Sequence, residues 1–233
     1  MLPDPAPRFP LTAWAVHLLT GSGAVWALLA MVAVMEGDAR MVFLWLGLAL
    51  IVDGIDGPLA RRAAVTERVP RFDGAALDLI VDYLTYVFVP VLFLWRFDIL
   101  PQAFELVGCS LILVSSLHLF AKTDMKSGDN HFVGFPATWN LVVLYLWLFA
   151  PAPWVAASVV LALVALTFAP ALFIHPFRVV RLRLITLPVC ALWAVAAGAM
   201  VWTHPAPPAW APPLLLLTSA WVGGLCLWRS VSR

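Results

Sequence analysis

The sequence contains few charged residues. Asp, Glu, Lys and Arg make up only 12% of its 233 residues, whereas roughly 25% is typical of a soluble domain. Hydrophobic residues make up 63% of the chain. This composition excludes an ordinary soluble domain and predicts an all-α integral membrane protein, a polytopic bundle of transmembrane helices. The formal net charge of +1 does not indicate a nucleic-acid partner, and we expect none.

Cysteine is also scarce, and its spacing excludes a cysteine metal site. Cys109, Cys190 and Cys226 are scattered through apolar segments without a C-x-x-C pair, so we interpret them as small buried core residues. The sequence shows no internal repeat and no separate soluble domain. The first ten residues, MLPDPAPRFP, are broken by proline and precede no cleavage-like site, so we expect no removable signal peptide.

Long apolar runs, by contrast, are abundant. Runs of about 20 residues are candidate membrane spans, and the sequence predicts eight of them. They cover approximately residues 12–35, 40–60, 74–97, 100–120, 135–151, 154–174, 184–203 and 210–228.

The distribution of Lys and Arg predicts how these spans are oriented. With the N-terminus in the cytoplasm, the eight spans place all but two of the 14 Lys and Arg residues on the cytoplasmic side. Arg40 and Arg96 are the two exceptions. Because Lys and Arg concentrate in cytoplasmic segments, we expect both termini there. Arg68 and Arg71, in the loop after the second span, are expected either at lipid headgroups or beside a bound phosphate group.

Four aspartates interrupt two of the apolar runs. Asp53 and Asp56 belong to the second run, and Asp78 and Asp82 belong to the third. An ionised side chain at bilayer depth costs at least ~2.5–3.5 kcal/mol on insertion scales. Clustered carboxylates can share one compensating group, and a divalent cation compensates them best. Hard oxygen ligands favour magnesium or manganese over zinc.

The spacing of these residues places them on two helix faces. At about 100° per residue, the positions of the second run fall on one face. These positions are Asp53, Asp56, Gly57, Ala60 and Arg61. Gly74, Asp78 and Asp82 are each four residues apart and form a second stripe. The glycines and Ala60 leave room for a bulky ligand beside the carboxylates.

The combined pattern, D-x-x-D-G-x-x-A-R followed by G-x-x-x-D-x-x-x-D, resembles the signature of the CDP-alcohol phosphatidyltransferases. These integral membrane enzymes move a phosphatidyl group from CDP-diacylglycerol to an alcohol and release CMP. Twelve residues separate Arg61 from Gly74, a longer spacer than most of the family has. This spacer, with HFVGFPATWN at 131–140 and HPFRVVRLR at 175–183, resembles the bacterial phosphatidylcholine synthase branch of the family.

The resemblance implies a role for each motif residue. The four aspartates would bind two Mg²⁺ or Mn²⁺ ions that hold the diphosphate, and Asp82 would also be the general base. The cytidine diphosphate part would be bound by Gly57, Ala60, Arg61 and Gly74. The family resemblance also implies a homodimer in the bacterial cytoplasmic (inner) membrane, among its lipids, with the active site facing the cytoplasm. Residues 1–233 would form one membrane domain.

Within that domain we distinguish three parts. Residues 1–10 form a short N-terminal segment, residues 40–97 form the catalytic helix pair with its loop, and residues 184–228 form peripheral helices.

Choline as the acceptor would need a site for a quaternary ammonium group. Aromatic faces recognise such cations with ~0.5–2 kcal/mol per contact. Candidate choline-binding residues are Tyr86, Tyr83 and Trp139. Tyr86 is the best of these, because it lies about 40° around the helix from Asp82. Packing is the alternative role for all three, and the choline assignment depends mainly on the resemblance.

Two alternatives remain open. A sister transferase could use serine, inositol phosphate or glycerol 3-phosphate, and anionic acceptors would call on Arg178, Arg181 or Arg183. A divalent-cation transporter would also carry acids in its spans. Transport predicts acids spread across the bilayer, often in two related halves. Here they form one cluster without a repeat, which favours the enzyme.

Overall fold

The computed structural model describes residues 10–122, 132–170, 172–173 and 183–231, and these are mostly helical. A π-helical turn, Tyr83–Phe88, joins α4 to α5. The helices are α1 Leu11–Glu36, α2 Ala39–Arg62, α3 Val65–Arg68, α4 Gly74–Asp82, α5 Val89–Arg96, α6 Gln102–Ala121, α7 Trp139–Phe149, α8 Pro153–Thr167, α9 Arg183–Thr203 and α10 Ala211–Val231. Two short strands, β1 Phe132–Val133 and β2 Leu172–Phe173, pair antiparallel.

This architecture confirms an all-α, multi-pass membrane protein. Five helical stretches in the described chain are long and apolar enough to cross a membrane, and they correspond to the first four and the seventh predicted spans. They are Leu11–Glu36, Ala39–Arg62, Gly74–Arg96, Gln102–Ala121 and Leu184–Thr203. Shorter apolar helices occupy the other three predicted positions. The number of crossings and the side of the termini stay predictions.

The fifth and sixth predicted segments contain helices that are shorter than expected. Helix α7 has 11 residues, or about 17 Å at 1.5 Å per residue, against a hydrocarbon thickness of ~30 Å. It begins only after Pro136 and Ala137, whose φ is 54°. It ends at Phe149, and the next residue, Ala150, is left-handed with φ 40° and is followed by Pro151. Helix α8 ends at Thr167 after 15 residues.

An aromatic cluster holds one end of the bundle together. Phe43 of α2 packs against Phe93 of α5, with ring centroids 4.9 Å apart, and against Trp147 of α7 at 5.3 Å. Phe93 is fully buried. Because Asp53 follows Phe43 by ten residues, it lies about 15 Å further along α2. The apolar core and the acidic residues therefore occupy different levels of the same helices.

Helices α9 and α10 are tied to α7 by a chain of hydrogen bonds. Trp193 Nε1 of α9 donates to the Tyr145 hydroxyl at 2.7 Å, and this hydroxyl also bonds Ser219 Oγ of α10. Arg40 Nη2 donates to the backbone oxygen of His204 at 2.8 Å, which attaches the end of α9 to α2. The outer helices are thus fixed to the bundle by polar contacts as well as by apolar packing.

Helices α1 and α4 approach each other closely at Gly23, where a Cβ would overlap Val81 Cγ1. We expect Gly23→Ala to lower the free energy of unfolding by about 1–3 kcal/mol, because overpacking forces the helices apart. Thermal denaturation in detergent measures this, with Gly21→Ala as the control, since nothing lies within 4 Å of a Cβ at Gly21. Adding Val81→Ala should restore stability. Additive losses in the double variant would contradict the proposed contact.

Candidate active site

Three aspartates converge where α2 meets α4. One carboxylate oxygen each of Asp53, Asp78 and Asp82 lies within 4.8 Å of the other two, and all three side chains are half-buried. Three carboxylates this close repel one another unless a positive charge lies between them. Their oxygens are the hard ligands that divalent cations such as Mg²⁺ prefer. The cluster could therefore bind a divalent metal ion.

Asp56 lies outside this group of three. It is buried, with 6% of its surface exposed, and its Oδ2 accepts a hydrogen bond of 2.6 Å from Thr20 Oγ1 of α1. It nevertheless lines the same small cavity as the cluster. The sequence predicts four metal-binding carboxylates. The structure brings oxygens of three of them together, and the fourth accepts a hydrogen bond from a neighbouring helix.

Tyr86 contacts the cluster directly. Its hydroxyl donates to Asp53 Oδ2 at 2.5 Å, and its ring is buried. The residue lies in the π-helical turn that begins directly after Asp82. Such turns are rare overall, but they are often found at functional sites, because the extra residue changes the direction of the side chains that follow. Tyr86 is thereby aimed across at α2.

A cavity of about 520 Å³ opens beside the cluster. It lies between α1, the end of α2, the following loop and the start of α4. Asp56 and Asp78 line it, together with all four residues that the motif predicts for nucleotide binding: Gly57, Ala60, Arg61 and Gly74. A Cβ at Gly57 would contact only Arg61 Nη1, at 3.5 Å. Gly57 thus leaves open space beside the cationic side chain of Arg61.

The loop between α2 and α4 closes the cavity and determines where α4 begins. Asp73 caps α4 by accepting hydrogen bonds from Ala75 N at 3.1 Å and Ala76 N at 3.0 Å, as N-cap aspartates do. Arg71 lines the cavity, whereas Arg68 donates to Thr12 Oγ1 at 3.1 Å. Of the two loop arginines, Arg71 is therefore the one placed to meet a ligand.

The comparison with protein families agrees with this geometry. The family described as CDP-alcohol phosphatidyltransferase matches residues 14–170, which include the cluster and the cavity. The chain belongs to this family.

Relatives with a specific name match most of the chain. The chain is 47% identical to "Phosphatidylcholine synthase" of Pseudomonas aeruginosa over 94% of its own length and 92% of that protein. It is 46% identical to the protein of the same name from Mesorhizobium japonicum, over 81% and 70% of the two lengths. It is also 46% identical to the protein of this name from Bradyrhizobium diazoefficiens, over 82% of its own length and 72% of that protein.

In this phosphatidyltransferase, Tyr83 and Trp139 make their hydrogen bonds to α6. The Tyr83 hydroxyl donates to the backbone oxygen of Leu113 in α6 at 3.3 Å. Trp139 is 1% exposed, and its Nε1 donates to Ser116 Oγ of α6 at 3.0 Å. Both residues face α6, whereas Tyr86 faces α2. The hydrogen bonds of the three residues therefore lead to two different helices. No described contact joins the three rings in one pocket.

The basic segment at 175–183 lies mostly outside the described residues. Arg178 and Arg181 belong to it, and Arg183 begins α9 without a described side chain. In the segment 131–140, His131 lies outside the described residues, and Phe132 and Val133 have no described side chains. The contacts of Arg178, Arg181 and Arg183 with an anionic acceptor stay predictions.

Sequence reasoning missed the contribution of α1. Thr20 bonds Asp56, and His17 and Thr20 both line the cavity. The available signal is a pair of polar residues three apart in a mostly apolar helix, which also contains Thr12, Ser22 and Glu36. Thr is common in such helices and a lone His is often a packing residue, so this signal alone does not identify a site.

Proposed function

We propose that the protein is a phosphatidylcholine synthase, which transfers the phosphatidyl group of CDP-diacylglycerol to choline and releases CMP. The observation that carries this proposal is the junction of the three-aspartate cluster with a cavity lined by Gly57, Ala60, Arg61 and Gly74. The relatives of this name, which match most of both chains, support choline as the acceptor.

In this proposal, Asp53, Asp56, Asp78 and Asp82 would hold two ions of Mg²⁺ or Mn²⁺. When bound, the metal would neutralise charge on the diphosphate and so make CMP a better leaving group. The donor set fits these ions because it consists of carboxylate oxygens.

The residues of the chain then perform the transfer. Asp82 accepts the hydroxyl proton of choline, and the choline oxygen bonds to the phosphorus on the lipid side of the diphosphate. The bond from that phosphorus to the CMP oxygen breaks, and CMP leaves with the electron pair. Arg61 contacts the nucleotide phosphates from the cavity wall, and Gly57 and Ala60 give the nucleotide room. Gly74 lines the same cavity next to His17.

Tyr86 is the choline-binding residue in this proposal. The aromatic ring beside the cluster suits a quaternary ammonium group, because the ring face attracts a cation. Tyr83 and Trp139, which are hydrogen-bonded to α6, have less support for this role.

We expect Tyr86→Ala to raise the KM for choline about 2- to 30-fold, equivalent to the ~0.5–2 kcal/mol of a cation–π contact. Tyr86→Phe keeps the ring and should change this KM less. Steady-state CMP release with varied choline measures both, with Tyr83→Ala as the control. Equal increases in the KM values for choline and CDP-diacylglycerol would reduce Tyr86 to a packing role.

The test of the function itself is CMP release by the purified protein in detergent with CDP-diacylglycerol and Mn²⁺. Choline, serine, inositol phosphate and glycerol 3-phosphate are offered one at a time. We expect release with choline, and we expect EDTA to abolish it. Release only with another acceptor would replace choline but keep the reaction class. No release with any acceptor would contradict the proposed transferase activity and would favour the cation-transport alternative.

The remaining parts of the proposal concern assembly and location. The family resemblance supports a homodimer in the bacterial inner membrane. The Lys and Arg distribution supports a cavity that is open to the cytoplasm. Labelling of a cysteine introduced at Thr66, which lines the cavity, with a membrane-impermeant maleimide tests the orientation. Labelling of intact cells from outside would contradict it.

A further inference from the structure

A buried histidine nitrogen on α1 has no hydrogen-bond partner. His17 is 7% exposed, and its Nε2 is one of three buried side-chain polar atoms without a partner in the described chain, with Trp26 Nε1 and Glu105 Oε1. Buried polar groups are nearly always hydrogen-bonded. Of these three residues, His17 is the one that lines the 520 Å³ cavity. His17 thus combines an unpaired nitrogen with a position at the wall of this space.

The packing of α1 against α4 determines the depth of His17. A Cβ at Gly74 would lie 2.8 Å from His17 Cε1, so the imidazole lies level with the first residue of α4. Asp78 follows Gly74 by one helical turn, about 6 Å further along. Thr20, one turn after His17, reaches Asp56. His17 is therefore one turn away from the carboxylates, on the side of the loop that precedes α4.

An aromatic ring continues this wall of the cavity. The Phe72 ring centroid lies 4.5 Å from that of His17 and 5.3 Å from that of Trp14. Phe72 is 37% exposed and lines the cavity. Aromatic faces stack on nucleobases, with ~1–3 kcal/mol per base in single-stranded nucleic acid complexes. The end of the cavity remote from the carboxylates thus combines a free imidazole nitrogen with a stacking surface.

We propose that His17 binds the cytidine part of the nucleotide, with Nε2 hydrogen-bonded to the nucleoside and Phe72 beside its base. If the diphosphate lies against the aspartate cluster and Arg61, the nucleoside extends towards the loop, and His17 is at that level. A neutral imidazole serves because one ring nitrogen donates and the other accepts. The inference rests on the proposed function, since it requires a cytidine nucleotide in this cavity.

The test compares two probes, CMP and inorganic pyrophosphate, by titration calorimetry of the full-length protein in detergent with Mn²⁺. We expect His17→Leu to raise the Kd of CMP about tenfold, as the loss of one hydrogen bond does. The Kd of pyrophosphate and the KM for choline should stay unchanged. His17→Gln, which keeps a polar group near the position of Nε2, should recover most of the affinity. His118→Leu is the matched control, because His118 packs against Phe168, the residue that follows α8.

Each outcome separates the inference from the proposed function. If the wild-type protein does not bind CMP, both fail. If it binds CMP and His17→Leu binds it equally well, only the role of His17 is overturned. An equal loss for pyrophosphate and CMP would also overturn it, because His17 would then contact phosphate. A melting temperature equal to that of the wild type shows that the variant is folded.

Discussion

Asp82→Asn is expected to lower kcat about 100- to 10,000-fold, the usual contribution of a general base. The amide oxygen can still bind a cation, but it cannot accept the hydroxyl proton of choline. The Kd of CMP should therefore change little. Single-turnover CMP release measures the chemical step, and calorimetry measures CMP binding. Of the two cluster aspartates on α4, Asp82 lies further from the cavity, two turns from Gly74.

The control for this variant is Asp98→Asn. Asp98 lies in the turn after α5 with φ 50°, a conformation that Asn tolerates, and it is remote in sequence from the cluster. Its substitution should leave turnover as it is. Near-normal turnover of Asp82→Asn would assign proton transfer to another group.

Asp78→Ala is expected to have a different effect, a loss of metal binding. Asp78 belongs to the three-aspartate cluster and also lines the 520 Å³ cavity, so it lies between the metal site and the nucleotide. Changes outside the first ligand shell typically cost 10- to 100-fold in metal affinity. Removing a ligand should therefore lower the affinity for Mn²⁺ by at least about 100-fold. Electron paramagnetic resonance of free Mn²⁺ measures this without any turnover.

Asp78→Ala should also weaken CMP binding and abolish CMP release, in contrast to Asp82→Asn. Asp73→Asn is the control, because asparagine is also a good N-cap and can keep α4 in place. Wild-type affinity for Mn²⁺ in Asp78→Ala would mean that the metal, if present, is held elsewhere.

Much of this protein is predictable from local sequence. A low charge content and apolar runs of about 20 residues predict the transmembrane helices, because the bilayer imposes a length and a polarity on each span. The motif predicts which residues share a face, because the helix period is constant. Asp53 and the pair Asp78 and Asp82 therefore meet as the two stripes suggest. Gly57, Ala60, Arg61 and Gly74 line one cavity for the same reason.

The aromatic residues show where local reasoning is insufficient. Tyr83 and Tyr86 are three residues apart, but one bonds α6 and the other bonds Asp53. Their directions depend on a π-helical turn that a uniform α-helical period does not predict. Trp139 is close to a proline-containing turn, and its burial against α6 depends on how α7 packs.

The sequence by itself determined the membrane class, the helical segments around the site and the residues that face it, because these follow from composition and from the geometry of single helices. Only the tertiary structure decided that Thr20 donates a hydrogen bond to Asp56 and that Tyr86 donates one to Asp53. It also decided that His17 fills the space above Gly74. Each of these contacts joins two helices. The rotation and depth of one helix against another depend on the packing of many side chains, which no single segment specifies.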